Sequence, residues 1–209
     1  MLSAPPRSWV TIAIVAGAVL TGADAPWAGE FDVDTSAPRR VAFVSDAPIE
    51  SFEGVTDKID GFVTLPYANL YADSTYDSSQ FYFEVDLNSL DTGIGLRNRH
   101  MRDNYLHTEK YPYASYAGRI ESVAKTSDSI FLVTCAGEMT IHGVTRELRT
   151  VDTVTAMAGG YHVRTGFPIA LPDHEVEIPK LMFLKISETV QLHLDFVLRP
   201  VQEEAGETE

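Results

Sequence analysis

Arg97, Arg99, His100 and Arg102 lie within six positions of one another in a chain that is otherwise strongly acidic. The sequence carries 30 Asp plus Glu against 16 Lys plus Arg, a formal net charge of -14. A basic island of this kind can hold a phosphate or carboxylate, because a guanidinium offers a planar fork of donors that matches an oxyanion. The plain alternative is a helix-and-loop segment whose charges are simply solvated. Asp91 and Asp103 bracket the segment and are spaced to pair with Arg97 or Arg99. Asp91-Thr92 also has the residue types of a helix cap. The acidic balance excludes nucleic acid as a partner, since nothing here neutralises a run of phosphates. It equally argues against adsorption to an anionic membrane by bulk charge.

The remaining reactive side chains give no catalytic pattern. Six histidines occur, His100, His107, His142, His162, His174 and His193. None makes a helical HExxH or a close ligand pair, so a metal site would have to gather residues from distant segments. His142 belongs to an Ile-His-Gly-Val turn, and His193 falls on the polar side of its strand. Cys135 is the single cysteine, which rules out an intramolecular disulfide. It lies in the apolar run Phe131-Leu-Val-Thr-Cys-Ala136, the setting of a packed thiol rather than a nucleophile. Neither a Gly-Xaa-Ser-Xaa-Gly elbow nor a phosphate-binding or dinucleotide loop is present. No catalytic residue, metal or cofactor is expected, and the chain reads as a non-enzyme.

The elements that must position these residues are strands. In Gln80-Phe-Tyr-Phe-Glu-Val-Asp-Leu87, the residues Phe81, Phe83, Val85 and Leu87 share one face, and polar neighbours take the other. Thr189–Leu198 repeats the pattern with Val190, Leu192, Leu194, Phe196 and Leu198. Weaker alternation marks Phe31–Val33, Val41–Val44, Lys58–Val63, Tyr113–Val123, Ile130–Ile141, Thr145–Val154 and Tyr161–Leu171. Turn residues such as His142-Gly143 and Gly159-Gly160 separate them. Helical spacing is confined to Leu96–Leu106 and a turn at Pro179–Leu184. Strands with one apolar face must cover it, in a sandwich or a closed barrel, and alternation alone leaves that choice open.

The N-terminus reads as an export signal. Arg7 precedes an apolar run from Trp9 to Leu20, too short to span a bilayer, and small residues at Thr21 and Ala23 favour cleavage after Ala23. No cysteine follows the run to carry a lipid, so no stable membrane anchor is expected after cleavage. Residues 1–23 are therefore assigned to a signal peptide, 29–199 to one domain, and 200–209 to an acidic disordered tail. The expected location is periplasmic or secreted.

Several motifs, in order and spread over nearly the whole remaining chain, resemble the YceI family of lipocalin-like, polyisoprenoid-binding proteins. They are Ser51-Phe-Glu-Gly-Val-Thr-Asp-Lys-Ile-Asp-Gly61, Val85-Asp-Leu-Asn-Ser-Leu-Asp-Thr-Gly93, Arg97-Asn-Arg-His-Met-Arg-Asp103 and Lys110-Tyr-Pro-Tyr113. Gly137-Glu-Met-Thr-Ile-His-Gly-Val-Thr-Arg146 and Ile178-Pro-Lys-Leu-Met-Phe183 complete them. Asn98-Arg99-His100-Met101 matches only a subset of the family.

The resemblance implies an all-β fold, an antiparallel lipocalin-like β-barrel with short helical segments near one end. It also implies an elongated apolar cavity holding a long-chain amphiphile such as a polyisoprenoid or quinone. Phe81, Phe83, Val85, Leu192 and Phe196 would then supply hydrocarbon wall, and Arg97, Arg99, His100 and Arg102 a head-group site. Which faces point inward depends on register, because a one-residue slip exchanges every wall residue for its neighbour. The competing expectation is a non-catalytic interaction or structural β-domain with a fully packed interior. A homodimer through an exposed edge or face is a further expectation.

Overall fold

The computed structural model describes residues 28–46, 51–178, 180–181, 184–185 and 187–201. The expected signal segment and all but the first two residues of the expected acidic tail lie outside them. The described residues form twelve strands. In chain order they are β1 (Gly29–Val33), β2 (Arg40–Asp46), β3 (Ser51–Thr56), β4 (Ile59–Leu65), β5 (Gln80–Asp86) and β6 (Tyr113–Lys125). There follow β7 (Ile130–Ile141), β8 (Val144–Met157), β9 (Gly160–Ala170), β10 (Lys180–Leu181), β11 (Leu184–Lys185) and β12 (Thr189–Pro200).

Eight of them form a ring in the order β1-β4-β5-β6-β7-β8-β9-β12, and pairing of β1 with β12 closes it. All of these pairings are antiparallel. Closure decides between the two architectures that alternation permits. The β2–β3 hairpin extends the wall, because β12 pairs β1 through Leu198–Pro200 and β2 through Val190–Asp195. Between them the chain makes an excursion over Asp34–Arg39, tied down by Asp34 N–H donating to Val197 O at 2.8 Å.

Local chemistry explains most of the details. His142 and Gly143 both take positive φ, 54° and 76°, the conformation a two-residue hairpin needs to match strand twist. In β6 the register shifts between Ile120 and Ser122. This bulge lets Ile120 and Val123 both bury although they are three apart, and it tightens the local twist. The helical segment is α1 (Gly95–His100), continued by a π-helical stretch over Met101–Leu106. Within the turn anticipated at Pro179–Leu184, the described residues form the short β10–β11 ladder, Lys180 opposite Lys185 and Leu181 opposite Leu184, while Pro179, Met182 and Phe183 lie outside the described residues. β3 escapes the alternation rule because its central inward position is Gly54. That glycine seats the Phe43 ring, which a Cβ would approach to 2.1 Å.

One end of the barrel is filled. Leu70 and Tyr76, from the segment joining β4 to β5, bury into a cluster with Phe31, Val63 and Tyr161. Tyr161 Oη accepts from Leu70 N–H at 2.9 Å, and Tyr76 Oη both accepts from Tyr71 N–H and donates to Tyr71 O. A second cluster, around Met139, Ile141, Phe167 and Val190, lies toward the helical end.

Candidate functional site

A cavity of about 600 Å³ is lined by residues of both clusters. Protein interiors leave few voids larger than a water molecule, so this barrel is not a fully packed core. The volume falls within the ~300–1,000 Å³ typical of small-molecule sites. The wall is almost wholly apolar. Phe81, Phe83 and Val85 of β5 and Leu192, Leu194 and Phe196 of β12 line it. Phe83 packs on Phe196 with ring centroids 5.2 Å apart and stacks with Phe81 at 5.9 Å. The cavity reaches the surface beside α1, where the lining residues Ile94 and Leu96 are 50% and 59% exposed.

The basic segment sits at this mouth, and its members divide. Arg97 and His100 line the cavity. Arg97 donates through Nε to Thr92 Oγ1 at 3.0 Å and through Nη2 to Thr92 O at 2.9 Å. Its guanidinium carbon lies 4.5 Å from the centroid of the Phe52 ring. Arg99 is exposed and outside the lining, while Arg102 donates to Asn88 O at 3.2 Å on the neighbouring 3-10 turn.

Asp91 and Thr92 do not cap α1. Its N-cap is Ile94, which makes no side-chain cap bond. Instead the buried Asn98 organises the approach to the helix. Its Oδ1 accepts from Thr92 N–H and Oγ1–H at 2.8 and 2.6 Å, and its Nδ2 donates to Asp91 Oδ1 at 2.7 Å. Hydrogen bonds hold the Asp91 carboxyl below its usual pKa, Asn98 contributing most.

Four of the other histidines have structural partners. His107 and His142, far apart in sequence, meet with Nδ1 and Nε2 2.7 Å apart. Sequence spacing gave no hint of this pair, since one comes from the end of the π-helical stretch and the other from the β7–β8 turn. His174 bonds Val144 O, His162 contacts Asp195, and His193 faces outward. Among the described residues no group of three or more His, Cys, Asp or Glu is arranged to hold a metal. Burial pushes the Cys135 thiol pKa well up, so it is not poised as a nucleophile.

Sequence reasoning missed a polar spot inside the cavity. Thr150 and Asp152 of β8 and Thr165 of β9 all face in. β8 and β9 pair only from Thr153–Arg164 to Met157–Gly160. Toward the mouth they part, and the 3-10 turn Leu171–His174 ties into the split through the His174–Val144 bond. Asp152 and Thr165 are the first residues past the last pair. Burial raises the Asp152 pKa, and the nearby Thr165, Cys135 and Thr150 offset only part of that penalty. A signal was present in Thr150-Val151-Asp152, where polar residues flank a valine, and Val151 is indeed the one turned outward, 57% exposed.

A YceI-like domain model matches residues 31–198. No curated protein matches the chain. Among solved structures, BcnA of Burkholderia cenocepacia is 20% identical with a TM-score of 0.63, covering 79% of this chain and 98% of that one. A polyisoprenoid binding domain from Saccharophagus degradans, implicated in plant cell wall breakdown, is 22% identical with a TM-score of 0.61, covering 82% and 98%. A Campylobacter jejuni YceI protein is 14% identical with a TM-score of 0.56, covering 76% and 90%. At these identities the likeness is one of fold.

Proposed function

This chain belongs to the YceI-like domain family, and from that membership we propose that it is an exported, non-catalytic carrier of a long-chain amphiphile, isoprenoid or quinone-like in chemistry. The observation that carries the proposal is the apolar cavity of about 600 Å³ open beside α1. Burying hydrocarbon there is favourable by ~0.8 kcal/mol per CH₂-sized group, so affinity needs few polar contacts. The binding described for the Saccharophagus degradans relative supports the same ligand class. Export is supported by the apolar run Trp9–Leu20 after Arg7. Arg97 and His100 at the mouth suit an anionic head group.

The test is native mass spectrometry of protein purified from an exporting host, followed by lipid extraction. A stoichiometric increment of amphiphile mass is expected. An empty protein that also fails to take up isoprenoid alcohols, phosphates and quinones would overturn the carrier reading. In the same assay Arg97→Glu should weaken uptake of a prenyl phosphate more than of the matching alcohol, and Arg99→Glu should change neither. Equal losses for both probes would remove the head-group assignment.

A further inference from the structure

The polar spot within the hydrocarbon wall narrows the ligand of that carrier, and any specificity it confers rests on the carrier reading. Asp152 and Thr165 stand across from each other where the β8–β9 ladder stops, with both side chains turned into the cavity. Asp152 Oδ2 accepts from Thr150 Oγ1 at 3.3 Å. Asp152 Oδ1 and Thr165 Oγ1 are buried and meet no partner in good hydrogen-bond geometry among the described residues, although Thr165 and Cys135 stand close enough to lower the Asp152 pKa. Folded proteins leave few such atoms unpaired, so two adjacent ones in a cavity mark a place where something else completes them.

Their chemistry says what completes them. A carboxylate oxygen accepts, and a threonine hydroxyl can donate. Side by side they complement a single alcohol O–H, which donates to Asp152 and accepts from Thr165. A phosphate or carboxylate there would be repelled by Asp152. An ether or hydrocarbon brings no donor for Oδ1, and an ammonium brings no acceptor for the threonine proton. We propose that the cavity favours, over the matching ether, long-chain amphiphiles bearing a neutral hydroxyl seated between Asp152 and Thr165, a position distinct from the anionic-head position at Arg97 and His100. The apolar walls of β5 and β12 then take the chain, and the β8–β9 fork fixes its depth. The raised pKa of Asp152 fits this placement, since a hydrogen bond donated by the ligand stabilises the ionised form that burial disfavours.

Calorimetric titration of the purified full chain with farnesol, farnesyl methyl ether and farnesyl phosphate tests the proposal. The wild type should bind the alcohol about tenfold or more tighter than the ether, the range of a hydrogen bond to a charged acceptor. Asp152→Val should bring that ratio to about one. Thr165→Val, which keeps side-chain shape, should lower the ratio as well, and it carries the test if Asp152→Val does not fold. Equal wild-type affinity for alcohol and ether would overturn the hydroxyl assignment while the carrier reading stands, as would a ratio unchanged in the variants. Failure of all three probes to bind would overturn the carrier reading and this inference with it.

Discussion

β5 and one stretch of β8 follow opposite rules. On β5 the inward residues are Phe81, Phe83 and Val85, and the outward ones are Gln80, Tyr82 and Glu84. On β8 the inward residues include Thr150 and Asp152, while Val151 faces solvent. The inward faces of β5 and β12 offer hydrocarbon that any apolar chain can use and that sets no direction. The β8–β9 side interrupts it with groups that demand a specific partner. A site needs both, since apolar area supplies affinity and a few placed polar groups supply orientation.

The largest effect should come from the hydrocarbon side. Phe196 is 2% exposed and packs its ring against Phe83. Truncating a buried phenylalanine typically costs about 3–5 kcal/mol, through lost transfer energy plus the residual cavity. Phe196→Ala should therefore shift the urea midpoint strongly downward. A loss below about 1 kcal/mol would show that this wall adjoins enough empty space for the ring to count little, which would weaken the contrast between the two sides.

Asp152 should respond with the opposite sign. An unsatisfied buried polar group costs ~1–3 kcal/mol, so Asp152→Val should stabilise the ligand-free protein by that order at neutral pH. The pH dependence follows from the raised pKa. Between the ordinary value of 3.8 and the raised one, the folded state keeps a proton that the unfolded state has lost. Wild-type stability from this site therefore falls as pH rises through that window and recovers as pH is lowered toward about 4. The advantage of Asp152→Val should be greatest at neutral pH and shrink on acidification, as thermal melts across that range would show. A destabilised variant, or a gap independent of pH, would mean that the carboxylate is satisfied in the folded protein.

The same contrast explains what could be read in advance. The β5 and β12 faces were legible because apolar-in, polar-out alternation is the rule that sequence reading applies. Phe81, Phe83, Val85, Leu192 and Phe196 all line the cavity for that reason. β3 was not legible as a strand because Gly54 interrupts the inward face between Phe52 and Thr56. The basic island was visible as composition, but composition says nothing about direction. The pitch of α1 turns Arg97 and His100 to the cavity and leaves Arg99 off it. Asp152 was missed because its strand breaks the rule, and because the fork that exposes it is a matter of where one ladder ends.

The smallest effect should come from the outer face of β8. Arg149 donates through Nε to Glu121 Oε2 at 2.6 Å, with both side chains in contact with solvent. Glu121 is the extra residue at the β6 bulge, so it is placed to pin that irregularity as well as to pair a charge. Exposed ion pairs are worth ~0–1 kcal/mol and are screened by salt. Glu121→Gln should thus cost less than about 1 kcal/mol in dilute buffer, and the difference from wild type should vanish as salt is raised. A larger, salt-independent loss would assign the bulge to Glu121 rather than to Ile120 and Val123 seeking the core. Set beside Asp152, on the same strand as Arg149, the small cost would show that access to solvent governs the energetics of this wall. A carboxylate in water forgives the loss of its partner, whereas one turned into hydrocarbon needs a partner to be stable.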